Sequence, residues 1–206
     1  MKFVLAFGDS LTAGYTEQGT SFHPWAPVLQ SLLQVSAVDH VGFSGWTTRQ
    51  MVENMYSESE YDVVGRAWPG LHCMLEDSMY DVALILAGTN DLAAKFTPEE
   101  IVSNLATLHR TAHVKGVRTV AFTIPESAAS KHVDWLGELR NLANDAIRKW
   151  VQTLPKERTM LVESAELLPY SPGRMWEPDG LHMSKYGYEE FGRKLAPIIK
   201  DFVNDG

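Results

Sequence analysis

Short apolar runs alternate with longer stretches of helical periodicity along the whole chain. The runs fall at 2–7, 38–43, 81–87, 117–123 and 159–162, and the third contains the unbroken string VALILA. A strand with one wet face alternates apolar and polar residues, whereas a near-continuous apolar run suits a strand covered on both faces of a parallel sheet. Between the runs, apolar residues recur at helical spacing over 25–34, 48–55, 98–115, 134–153 and 185–203. Thr97-Pro98-Glu99-Glu100 predicts a helix start, with a capping hydroxyl, proline in the first turn and early acidic residues. Gly116 predicts the stop of that helix, and Pro197 is expected to kink or split the last one. No internal repeat, low-complexity tract or linker interrupts the βαβα rhythm. Residues 1–206 therefore read as one three-layer α/β/α domain.

In open parallel sheets, ligands bind outside the carboxyl ends of the strands. The residues that follow the predicted strands are therefore the place to look for chemistry. They are Gly8-Asp9-Ser10 after the first, Ser44-Gly45-Trp46 after the second, Gly88-Thr89-Asn90-Asp91 after the third and Pro125-Glu126-Ser127 after the fourth. Pro178-Asp179-Gly180-Leu181-His182 lies beyond the fifth. Acyl transfer has a use for each type. A serine hydroxyl is a weak nucleophile until a base accepts its proton, His182 is a candidate base, and Asp179 could fix the imidazole tautomer. The backbone N–H groups of Ser10 and Gly45 and the Asn90 amide could hold a developing oxyanion.

Composition narrows the alternatives. A formal charge of -8 disfavours nucleic acid or an anionic membrane as partner. The single cysteine, Cys73, excludes an internal disulfide and a cysteine zinc cluster, and its surroundings suggest an inert thiol. No apolar run approaches the ~20 residues that span a bilayer. FVLAF near the start is shorter than a secretory core of about 7–15 residues. A cytoplasmic protein is the expectation, and oligomeric state is not legible.

The blocks Gly8-Asp9-Ser10-Leu11, Ser44-Gly45, Gly88-Thr89-Asn90-Asp91 and Asp179-Gly180-Leu181-His182 resemble, in order and over nearly the whole chain, the GDSL or SGNH hydrolases. The resemblance implies a flavodoxin-like five-stranded parallel sheet. It also implies Ser10 as nucleophile, Asp179 and His182 as the rest of a triad, Gly45 and Asn90 as oxyanion donors, no metal and no organic cofactor. The second block departs from the family pattern, with His40 and Trp46 where an asparagine and an acidic residue are common. That departure bears on the pocket rather than on the chemistry.

Each residue also has a plainer reading. Ser10 could cap the helix after the first strand, Asn90 could be a turn residue, and Asp179-Gly180 could be a surface turn. The run GDSLTAG lacks the spacing of a phosphate-binding loop. Ser44 sits near glycines but off the spacing of a nucleophile elbow. His109 and His113, four apart on a helix, could face a metal but lack a third ligand, so a solvated face is expected. Asp9 and Asp91 are expected to brace loops. Trp46, Trp176 and Phe96 are the candidate substrate walls, with Trp135 also near the edge loops. The expected activity is hydrolysis of small-molecule esters, acetyl or short-chain, through an acyl-enzyme on Ser10. Lysophospholipids, acyl thioesters and a non-catalytic ester- or carbohydrate-binding module are the alternatives.

Overall fold

The computed structural model describes residues 2–77 and 79–205. Strand β1 (Phe3–Asp9) runs into the one-turn helix α1 (Ser10–Ala13), and a small hairpin follows, β2 (Tyr15–Thr16) with β3 (Ser21–Phe22). Next come α2 (Ala26–Leu33), β4 (Ala37–Phe43) and α3 (Thr48–Glu53), then a second hairpin, β5 (Glu60–Tyr61) with β6 (Ala67–Trp68). The middle of the chain supplies α4 (Leu71–Asp77), β7 (Val82–Leu86), α5 (Thr89–Ala93), α6 (Pro98–Val114) and β8 (Arg118–Phe122). The remainder forms α7 (Ala128–His132), α8 (Asp134–Gln152), β9 (Thr159–Val162), α9 (Ser164–Leu167) and α10 (Lys185–Asn204).

Five strands form one parallel sheet in the order β4-β1-β7-β8-β9. Counted as main strands this is the flavodoxin-like order 2-1-3-4-5, with its switch point between β1 and β7. Side chains alternate across the sheet, so Val4, Ala6, Leu84, Leu86, Val120 and Phe122 join one core with α2 and α10. Leu5, Phe7, Ala83, Ile85 and Ala121 join the other with α3, α6 and α8. Both faces of β7 are buried along its whole length, which is why its sequence shows no polar alternation.

Helix α6 starts as its sequence predicts. Thr97 accepts from the Glu100 amide, the Glu100 side chain returns the bond to the Thr97 N–H, and Pro98 opens the first turn. Gly116 follows the helix at φ +80°. Pro197 corrects its expectation, because α10 runs unbroken through it. Proline deprives the Arg193 carbonyl of its partner, but both residues lie on the solvent side, where water can replace the lost bond. Histidines 109 and 113 correct theirs too. His109 is fully buried with Nδ1 2.8 Å from Thr119 Oγ1, and His113 Nε2 lies 3.0 Å from Thr119 Oγ1 and 3.1 Å from Thr159 Oγ1. That face of α6 docks on β8 and β9 through hydroxyls rather than on water. Among the described residues no three His, Cys, Asp or Glu side chains gather as a metal site, and no helix is long and apolar enough to cross a membrane.

Candidate active site

Three adjacent strands, β1, β4 and β7, lead to Ser10, Gly45 and Asn90 at one edge of the sheet, and the loop before α10 supplies Asp179 and His182. Asp9 caps α1, its Oδ1 accepting from the Leu11 N–H at 2.9 Å, so that Ser10 begins the helix at the end of β1. The helix lies close against β4, where a Cβ on Gly42 would come 2.3 Å from the Ala13 nitrogen. Only glycine permits that approach, and the pairing of Asp9 with Phe43 ends β1 and β4 level with each other, so that Ser10 and Ser44 follow at the same edge. Ser10 Oγ lies 2.9 Å from His182 Nε2, and His182 Nδ1 lies 2.7 Å from Asp179 Oδ2. A carboxylate can only accept, so Nδ1 carries the proton and Nε2 is left to accept from the Ser10 hydroxyl. The other Asp179 oxygen accepts from the Leu181 and His182 N–H groups at 2.8 and 3.0 Å. Burial pushes the Asp179 carboxyl up, but the bonds from the His182 ring and from these two amides outweigh it and hold it below the usual carboxylate range.

Gly45 sits at φ +78°, and a Cβ there would stand 2.8 Å from both methyls of Val63. Its turn is held by the β5–β6 loop. Asp62 accepts from the Ser44 N–H at 3.2 Å, and the Val63 N–H donates to the Ser44 carbonyl at 3.2 Å. Asn90 donates one amide hydrogen to the Trp46 carbonyl at 2.9 Å, which fixes the amide plane and leaves the second hydrogen for another acceptor. Asp91 braces the same turn by accepting from the Thr48 N–H at 2.9 Å and from the Thr48 hydroxyl. Burial raises Asp91, against the opposing bonds from Thr48. Burial also raises Asp9 to about 7, opposed by the Leu11 N–H and reinforced by the charge of Asp91.

The expected aromatic walls fare differently. Trp46 is 6% exposed and stacks on Phe43 at 4.2 Å, inside the core. Trp176 is 7% exposed and packs edge-on to Tyr170. Both turn inward although their neighbours in sequence reach the edge. Phe96 is half-buried under the Arg49 guanidinium, and Trp135 stands 47% exposed beside the Lys95 ammonium. Ser44 is buried, and its hydroxyl has no hydrogen-bond partner among the described residues. A cavity of about 240 Å³ adjoins Asn90 and Asp179, with Leu92, Pro125, Leu136 and Leu181 among its walls. The segment 126–135 borders it and is anchored, since the Ala128 N–H donates to the Gly180 carbonyl at 2.7 Å. Sequence reasoning missed Tyr15, whose ring stacks on the His182 imidazole at 4.2 Å, and it missed the Asp62–Val63 support under Gly45. Neither carries a local signal, because each acts on residues distant along the chain.

The five-strand order and the serine–histidine–aspartate series at its carboxyl edge define a hydrolase of the SGNH type on an α/β fold. The chain belongs to the GDSL-like lipase/acylhydrolase family, whose model matches residues 6–190. It is thus an esterase or acylhydrolase acting on carboxylic esters. Solved structures share the fold at low identity. A carbohydrate esterase of family 3 from Talaromyces cellulolyticus superposes with a TM-score of 0.72 at 16% identity, covering 100% of both chains. The lipase/acylhydrolase from Enterococcus faecalis gives 0.65 at 23% identity, covering 100% of this chain and 99% of that one. An acetyl esterase mutant crystallised with acetate ion gives 0.71 at 16% identity, covering 100% and 99%. No curated protein matches significantly by sequence.

Proposed function

We propose that the protein hydrolyses small esters by double displacement through an acyl-enzyme on Ser10. The observation that carries this reading is the unbroken series Ser10 Oγ–His182 Nε2 at 2.9 Å and His182 Nδ1–Asp179 Oδ2 at 2.7 Å. His182 takes the hydroxyl proton as Ser10 Oγ bonds to the carbonyl carbon, whose π electrons move to oxygen. The Ser10 and Gly45 N–H groups and the free Asn90 amide hydrogen hold that oxyanion. Collapse expels the alcohol, protonated by His182, and leaves the acyl-serine. Water then repeats the sequence, with His182 as base, to release the acid and restore Ser10.

The substrate reading rests on the cavity. Its volume of about 240 Å³ and its apolar walls beside Asn90 suit a short acyl or small alcohol group. The Lys and Arg side chains that would hold an anionic head are not among its lining residues. Phe96 is not among the residues that line this pocket, and Val63, exposed beside Gly45, is a candidate wall on the opposite side of Ser10. The acetyl and carbohydrate esterases of the same fold are compatible with such a preference. Hydrolysis of p-nitrophenyl esters from acetate to palmitate tests it. Activity should peak at short chains and fall at least about 10³-fold in Ser10→Ala. A palmitate optimum would overturn the small-acyl reading, and full turnover by Ser10→Ala would overturn the mechanism.

A further inference from the structure

Nothing in the mechanism above uses the ring that lies flat against His182. The Tyr15 and His182 ring centroids are 4.2 Å apart, with planes inclined by 28°. Asp179 fixes one edge of the imidazole but leaves its plane free to tilt about that bond. A flat contact removes the tilt, and tilt is what would carry Nε2 away from Ser10 Oγ.

Tyr15 is itself held on several sides. It pairs with Phe22 across the β2–β3 hairpin, and the Phe22 ring meets it edge-on at 6.1 Å. The Arg66 guanidinium lies 3.9 Å from the Phe22 ring centroid and 4.8 Å from that of Trp68. Arg66 therefore ties this hairpin to the β5–β6 hairpin, whose loop supports Ser44 and Gly45. The fully buried Tyr188 donates its hydroxyl to the Tyr15 carbonyl at 3.2 Å. Glu177 accepts from the Glu17 N–H at 3.1 Å while its own N–H donates to the His182 carbonyl at 2.8 Å. The hairpin that carries Tyr15 and the loop that carries His182 are thus fastened together.

When His182 takes the Ser10 proton it becomes a cation against a ring whose face is electron-rich, an attractive arrangement. We propose that Tyr15 is a positioning residue for His182, its ring fixing the imidazole plane towards Ser10 and stabilising the transient imidazolium, with Phe22 and Arg66 locking that ring in place. The inference rests on the reading of His182 as the base that serves Ser10.

The test compares wild type with Tyr15→Phe, Tyr15→Leu and Arg66→Met. It reads kcat and KM on p-nitrophenyl acetate and the rate at which a p-nitrophenyl alkylphosphonate labels Ser10. Tyr15→Phe keeps the face and should stay within about twofold of wild type. Tyr15→Leu should lose about tenfold in both kcat and labelling rate with KM nearly unchanged. Arg66→Met should show a smaller loss in the same direction. Three results would overturn the inference: a Tyr15→Leu enzyme at wild-type kcat, a change confined to KM, or Phe and Leu variants equally impaired. Should Tyr15→Leu fail to fold, Arg66→Met decides, and wild-type rates there overturn the lock. Ser10→Ala and His182→Ala are run alongside. If they keep full activity, or if wild-type Ser10 takes no label, the triad reading fails and carries the inference with it. If they are inactive while Tyr15→Leu is unimpaired, the inference alone falls.

Discussion

Asn90 shows how much of the site depends on single hydrogen bonds. Its amide has two hydrogens, and one is committed to the Trp46 carbonyl. The geometry of the second is therefore set before any substrate arrives, which is the condition for a donor to favour the transition state over the ground state. Asn90→Ala should lower kcat by about 10²–10³ with little change in KM, measured on the best short-chain ester. A rise in KM at constant kcat would mean that the amide binds substrate instead. The same scale explains why the sequence could single out Ser10, Gly45, Asn90, Asp179 and His182 as candidates but could not say where the aromatic rings point. Residue type and block order identify groups that chemistry requires, but nearness in sequence does not give direction. Trp46 follows Gly45 and Trp176 precedes Asp179, yet each ring points into the core.

At the scale of elements, long strands and helices were readable because each has a period, and a period identifies a buried face. The two-residue strands of the hairpins β2–β3 and β5–β6 have none, so both the Tyr15 stack and the support under Gly45 stayed hidden. Helix α6 teaches a related lesson. Its histidines 109 and 113 look polar in sequence, but Thr119 and Thr159 on the facing strands give them partners inside the protein. Burial, then the neighbouring His113, pushes His109 down to about 3 from 6.5. The unfolded chain therefore binds a proton near pH 6.5 that the folded chain refuses until about pH 3. The stability tied to a neutral His109 is present above pH 6.5 and is lost as pH falls towards 3. Asp9, raised by burial, works in the opposite sense, so the comparison must be made against wild type. Thermal unfolding across that range should show a shallower acid loss in His109→Gln than in wild type. Parallel curves would mean that His109 does not govern the acid limb.

For the molecule as a whole, the strand order does the assembling. Strand β1 presents Ser10 while its neighbours β4 and β7 present Gly45 and Asn90 on either side. The last loop before α10 then returns Asp179 and His182 across the chain's full length. This convergence was legible in outline, because parallel α/β topology sends every strand end to one edge. The pocket was not, since its walls come from α5, the loop after β8, α8 and the Asp179 turn together. The central claim, that this edge makes Ser10 a nucleophile through His182, can be tested without knowing the substrate. The protein would be treated with the alkylphosphonate, digested, and the labelled peptide identified by mass spectrometry in wild type, Ser10→Ala and His182→Ala. Label confined to Ser10 in wild type, absent in Ser10→Ala and greatly slowed in His182→Ala is the predicted result. Label at another residue, or Ser10 labelling that proceeds at the wild-type rate without His182, would contradict it.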